Sequence, residues 1–234
     1  AVRSNRTRII RMGFGFLLYG YLMLIDYGLK IGSGSNIGID IFPDILGYVL
    51  FFIALRTLSR HALGFSRAKG ICIPLIILGA ITFSGQLLAF FGVGTKYVLP
   101  VLSYTEYLKY PLLLFFHIGI LDGIHSLAVD VDLPKLSLRA QWGKLLSVLY
   151  YVLGICLIIY EVIFPTPTGK VAAVYSAIGI GFQLLFYVMF IYVFTVIFSS
   201  YRQICYEGDE QMDGPSNNPL NKLYEKYKKG KSDK

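Results

Sequence analysis

Long apolar runs of about twenty residues, separated by short stretches that hold most of the charge, constrain this chain more than any other feature. A hydrocarbon core about 30 Å thick needs roughly 20 residues of helix at 1.5 Å rise. Lipid offers open backbone no hydrogen-bond partner, so such runs cross as helices. Six runs qualify, at 12–29, 41–58, 71–92, 110–129, 145–164 and 171–199. The expected fold is therefore all-α, a polytopic transmembrane bundle of about six helices forming one domain over 1–205. A polar linker and basic tail follow over 206–234.

Charge supports this reading and orients it. The chain is 55% hydrophobic and 15% charged, whereas soluble domains carry about a quarter charged residues. A net charge of +8 would suit a nucleic-acid partner, but the basic residues fall in alternate loops. Eighteen of the 22 lie in the N-terminus, the second and fourth connections and the tail, leaving Lys30, Lys96, Lys109 and Lys170 on the other face. Cytoplasmic loops accumulate Lys and Arg, so both termini are expected inside and residues 30–40, 93–106 and 165–170 outside. No nucleic-acid partner is expected. Arg3, Arg6, Arg8 and Arg11 precede the first run, but no small-residue cleavage site follows it, so the run is expected to stay as a helix.

Polar residues near hydrocarbon are costly and usually face a bundle interior or water. Asp26, Asp40, Asp44, Glu106 and Glu161 lie at the expected outer ends. They could form an acidic vestibule for a cation or positively charged solute, or simply terminate helices. Asp44 follows Pro43, where a negative charge complements the helix dipole. Lys30 and Lys109 stand four and three residues after Asp26 and Glu106, in reach as local partners.

The fourth run is the unusual one. His117, Asp122 and His125 interrupt it and, at about 100° per residue, share one broad face. Asp122 and His125, three apart, are placed to touch. A His–Asp pair suits a proton relay, and a buried polar contact that orients the helix is the plainer alternative. Histidines eight apart do not chelate on one helix, so no metal is expected. Cys72, Cys156 and Cys205 also lack ligand spacing and read as apolar fillers or tail thiols. Gln86 reads as an interhelical hydrogen-bond donor.

Other features concern packing and lipid. Ala173, Ala177 and Gly181 are spaced by four, which lets helix backbones approach closely. This leaves room for a homo-oligomer or a membrane partner. Trp142, Tyr97, Tyr104, Tyr107 and Tyr110 suit headgroup-depth belts. In the tail, Leu220, Leu223, Tyr224 and Tyr227 fall on one helical face with Lys222, Lys226 and Lys229 elsewhere, as expected of an interfacial helix on anionic lipid.

The stretch Phe42-Pro43-Asp44-Ile45-Leu46-Gly47-Tyr48 follows a loop and opens a helix. It resembles a Pro-Asp-apolar-apolar-Gly-Tyr element of uncharacterised small multi-pass membrane proteins of Gram-positive bacteria, over roughly the first two helices. The resemblance implies a bacterial plasma membrane and brings no activity, cofactor or catalytic residue. No nucleophile elbow, paired catalytic carboxylates, HExxH or Walker sequence occurs. Without a convergent nucleophile and base, a membrane enzyme ranks third among the expectations, and no cofactor is expected. The residues suggest a small-solute or ion-binding component, such as a transporter subunit. The competing expectation is a non-catalytic membrane adaptor or sensor acting through helix–helix and lipid contacts.

Overall fold

The computed structural model describes residues 2–24, 28–29, 39–40, 44–163 and 170–206. Six helices dominate them: α1 (Val2–Leu22), α2 (Asp44–Leu58), α3 (Leu63–Phe90), α4 (Thr95–Asp130), α5 (Pro134–Ile163) and α6 (Lys170–Tyr206). Each packs on its neighbours in sequence, and α6 returns to α1, so the helices close into a ring with α4 also touching α6. Two-residue strands β1 (Gly28–Leu29) and β2 (Ile39–Asp40) pair antiparallel, Gly28 opposite Asp40.

Four helices are long and apolar enough to cross a membrane: α3, α4, α5 and α6. The chain is a helical membrane protein. The apolar part of α1 is only Met12–Leu22, and α2, at 15 residues, spans about 22 Å. The first run was expected to stay helical to residue 29, yet α1 ends at Leu22, and Gly28–Leu29 is extended and paired. Residues 30–38, 165–169 and the tail from 207 onward lie outside the described residues, as does Asp26.

The starts of α3, α4 and α5 and the end of α6 shift outward. α3 starts eight residues before its expected position, because Ser66, Arg67 and Lys69 lower hydropathy without breaking a helix. α4 starts at Thr95, not near residue 110, and Pro100 and Pro111 sit inside it. The expected outer loop at 93–106 is thus mostly helix. The α3–α4 connection shrinks to a turn in which Gly92 (φ 71°) and Gly94 (φ 60°) take the left-handed backbone that glycine adopts without strain.

Lipid is as apolar as leucine, so close packing and polar contacts, not burial alone, must hold such helices together. On α1, Ile10, Phe14, Leu17 and Tyr21 form one buried stripe at helical spacing. Opposite faces are turned out, as with Ile73, Ile77 and Ile81 of α3. The tightest crossing is between α3 and α4. A Cβ on Gly64 would stand 2.4 Å from the Gly123 nitrogen and 2.6 Å from the Gly119 oxygen. Gly119 and Gly123 of α4 form a small-xxx-small pair facing Gly64 and Ala68 of α3.

Further along the same interface Thr82 donates to Thr105 Oγ1 at 3.3 Å. That bond supplies the interhelical contact expected of Gln86, which makes none among the described residues. Cys72, buried and free, donates from Sγ to the Tyr48 carbonyl at 3.1 Å and ties α3 to α2.

Candidate functional site

A cavity of about 220 Å³ lies inside the ring, lined by residues of α1, α2, α4, α5 and α6. Its polar end is set by Asp44, in the first turn of α2, and Lys109 of α4. Lys109 Nζ donates to Asp44 Oδ2 at 3.1 Å, and the two side chains are 4% and 23% exposed. Lysine is almost never so buried without an acid. This bond joins residues 65 apart in sequence, which local spacing cannot show, while the side chain of Glu106, the expected local partner, lies outside the described residues.

His117 marks the other end of the cavity, two turns and about 12 Å further along α4. Its Nδ1–H donates to the Leu113 carbonyl at 2.8 Å. That leaves Nε2 to accept from the Tyr21 hydroxyl at 3.2 Å. The Tyr151 hydroxyl lies 3.3 Å from Nδ1 and shares its proton. One imidazole thus joins α1, α4 and α5. A histidine has only two ring nitrogens, and both have partners here. Phe51, Phe116 and Ile120 nearby are fully buried and do not line the cavity.

Aromatic rings make the side walls. Tyr150 stacks on Phe182 at 4.7 Å between centroids, and Tyr21 stacks on Phe190 at 4.5 Å. Tyr48, Tyr110, Phe186 and Gln183 complete the lining, with Met189. A concave, largely aromatic space with a few convergent polar groups is the usual form of a small-molecule site.

The sequence candidates separate into distinct places. Asp44 and His117 reach the cavity. Asp122 and His125 do not, and the expected contact between them does not form. Lys144 of α5 donates to Asp122 Oδ1 at 2.8 Å. His125 instead meets Ser137, whose Oγ lies 2.8 Å from Nδ1, and Gln141, whose Nε2 lies 3.4 Å from its own Nε2. Spacing alone cannot show that both side chains turn to α5, where Ser137, Gln141 and Lys144 line one face.

Asp122 accordingly has a polar neighbour, Lys144. Asp40 lies in β2, while Glu106 and Glu161 sit on α4 and α5 with side chains outside the described set. Ala173, whose side chain is likewise outside it, precedes Ala177 and Gly181 on α6. Among the described residues no three of His, Cys, Asp and Glu converge as metal ligands.

The tyrosines were the missed signal. By sequence Tyr110 suits an interfacial belt, Tyr48 belongs to the element at residues 42–48, and nothing marks Tyr21, Tyr150 or Tyr151, yet all five line the cavity. Tyrosine recurring inside apolar runs, where a hydroxyl needs a partner, could have pointed here. No family model matches the chain, and neither curated proteins nor solved structures give a match.

Proposed function

We propose that this protein is a small-solute-binding component of a membrane, the receptor part of a transport step, that takes its ligand into the cavity between Lys109 and His117. The observation that carries the reading is a space of about 220 Å³ among the helices with an ion pair at one end and a hydrogen-bonded imidazole at the other. Asp44, partly exposed, marks the side of entry.

Orientation follows the charge asymmetry, with both termini on the cytoplasmic side. It sets the basic tail against anionic headgroups of the inner leaflet, where each Lys contributes about 1 kcal/mol. The resemblance at residues 42–48 favours a bacterial plasma membrane. One labelling experiment tests access and orientation together, using a membrane-impermeant thiol reagent on single cysteines in a cysteine-free background. Gly34→Cys and Gln183→Cys should react from outside, and Glu225→Cys only after permeabilisation. Reaction at 34 with none at 183 would remove the solute-binding reading. Reaction at 225 in intact cells would invert the orientation.

A second reading, a membrane adaptor, draws on α6. Added Cβ atoms at Gly179 and Gly181 would meet nothing within 4 Å, and Ala177, Ile178 and Ile180 are exposed beside them. Close helix approach from another chain would suit this face. Gly181→Cys should then form a disulfide-linked dimer in membranes under mild oxidation, well above the level of Ile73→Cys on the lipid face of α3. Equal, low cross-linking at the two positions would end this reading.

A further inference from the structure

The first turns of α5 carry a charged outward face well apart from the cavity. Lys135, Leu138, Arg139, Trp142, Leu145 and Leu149 share it at helical spacing. All six are exposed, and the tryptophan and the three leucines are at least half exposed. The opposite face of the same turns, with Leu136, Ala140 and Ser147, is buried in the bundle.

We infer that this face is a binding site for an anionic phospholipid. Its phosphate is held by Lys135 and Arg139, its glycerol region lies beside Trp142, and its acyl chains run along Leu145 and Leu149. Because α5 is long and apolar enough to cross a membrane, lipid covers this face in any case. Charge decides which lipid.

Lys135 and Arg139 stand about one turn apart. Among the described residues neither has an ion pair or hydrogen bond to an acid, the exposed Asp132 of the preceding turn included. Lys144 on the same helix is, by contrast, matched by Asp122 at 2.8 Å. Two unmatched cations at the head of an apolar stripe are complementary to a headgroup of net negative charge. A zwitterionic headgroup would bring its own ammonium against them. Arginine can also grip two phosphate oxygens at once, which fixes the headgroup as well as attracting it.

Depth fits the same ligand. Tryptophan settles at headgroup level, and Lys135 lies about 10 Å further along the helix from Trp142. Arg139 lies between them. Their long stems can follow the apolar surface while the charged ends reach the phosphates. By the charge asymmetry this end of α5 belongs to the inner leaflet, whose anionic lipids attract basic segments.

Trp142 is the one tryptophan of the chain, so its fluorescence reports this face alone. The purified full chain is placed in phosphatidylcholine vesicles with a minor, fixed share of phosphatidylglycerol. One lipid or the other carries bromine near the head of its acyl chains, and bromine quenches an indole on contact. Quenching by the brominated phosphatidylglycerol should report a local share of that lipid about threefold above its share of the bilayer, falling as salt rises. Lys135→Gln/Arg139→Gln should bring it down to the bilayer share. Quenching by brominated phosphatidylcholine should persist in that variant, showing that Trp142 still meets lipid. Arg56→Gln/Arg67→Gln, which removes two exposed cations from α2 and α3, should leave the enrichment in place, as should soluble glycerol phosphate.

Quenching no greater than the bilayer share in the parent would overturn the inference, as would enrichment that survives Lys135→Gln/Arg139→Gln. Equal loss in Arg56→Gln/Arg67→Gln would overturn it too, because the general charge of the inner face would then suffice. Enrichment abolished by glycerol phosphate would overturn it in favour of a site for a soluble phosphate.

Discussion

Gly64→Leu should prevent the bundle from assembling, with the purified variant aggregating or migrating as an expanded species on size exclusion while Gly70→Ala on the same helix behaves as the parent. At Gly64 an added Cβ would stand 2.4 Å from one backbone nitrogen, 2.6 Å from a backbone oxygen and 2.9 Å from the Asp122 carbonyl carbon. These are main-chain atoms of α4 and cannot rotate aside. The helices must separate, and separation breaks the fit of Phe65 against Gly123, where a Cβ would lie 2.7 Å from the ring. Overpacking a well-packed site costs typically 1–3 kcal/mol, occasionally more, and a backbone clash belongs at the upper end even for alanine. Gly70 has nothing within 4 Å of an added Cβ, so there alanine only gains helix propensity, by about 0.5–1 kcal/mol. Normal assembly of Gly64→Leu would mean that α3 and α4 do not cross as closely as described.

That crossing shows what could be read from the chain and what could not. Gly119 and Gly123 stand four apart in an apolar run, a pattern as open to inspection as Ala173, Ala177 and Gly181 on α6. The sequence does not say which of two small-residue pairs is used inside the chain. Packing decides: the α4 pair is in contact with α3, whereas Gly181 has no neighbour within 4 Å of an added Cβ.

Apolar runs located all six helices, because hydropathy reports transfer into lipid. Their ends moved because hydropathy does not report where a helix stops. Lys96, Pro100 and Lys109 delayed the fourth run as a hydropathic signal, yet α4 continues through all of them. Asp122 and His125 were legible as polar residues on one face, but their partners Lys144 and Ser137 lie on the next helix. Of the cavity, Asp44 and His117 were visible as residues out of place in lipid. Its aromatic walls needed five helices brought together before they meant anything.

Asp44→Asn should destabilise the protein by about 3 kcal/mol or more, and the second substitution Lys109→Met should restore most of that loss. Lys109 is 4% exposed and Asp44 23% exposed, so the lysine is the partner with less access to water. Removing one member of a buried ion pair costs about 3–5 kcal/mol, because the other charge stays buried without its counterion. Replacing both by groups of similar shape is often neutral, because the desolvation cost disappears along with the attraction. The asymmetry of exposure makes a further distinction. Lys109→Met leaves a carboxylate that can turn toward solvent at the end of α2, so it should be milder than Asp44→Asn, which takes the Asp44 carboxylate away from a buried ammonium. Unfolding midpoints in a single detergent, measured for the parent, both single variants and the double variant, give the coupling directly as the departure from additivity. Additive losses would show that the two charges do not stabilise each other, and the order Lys109→Met worse than Asp44→Asn would show that the carboxylate, not the ammonium, is the group held away from water.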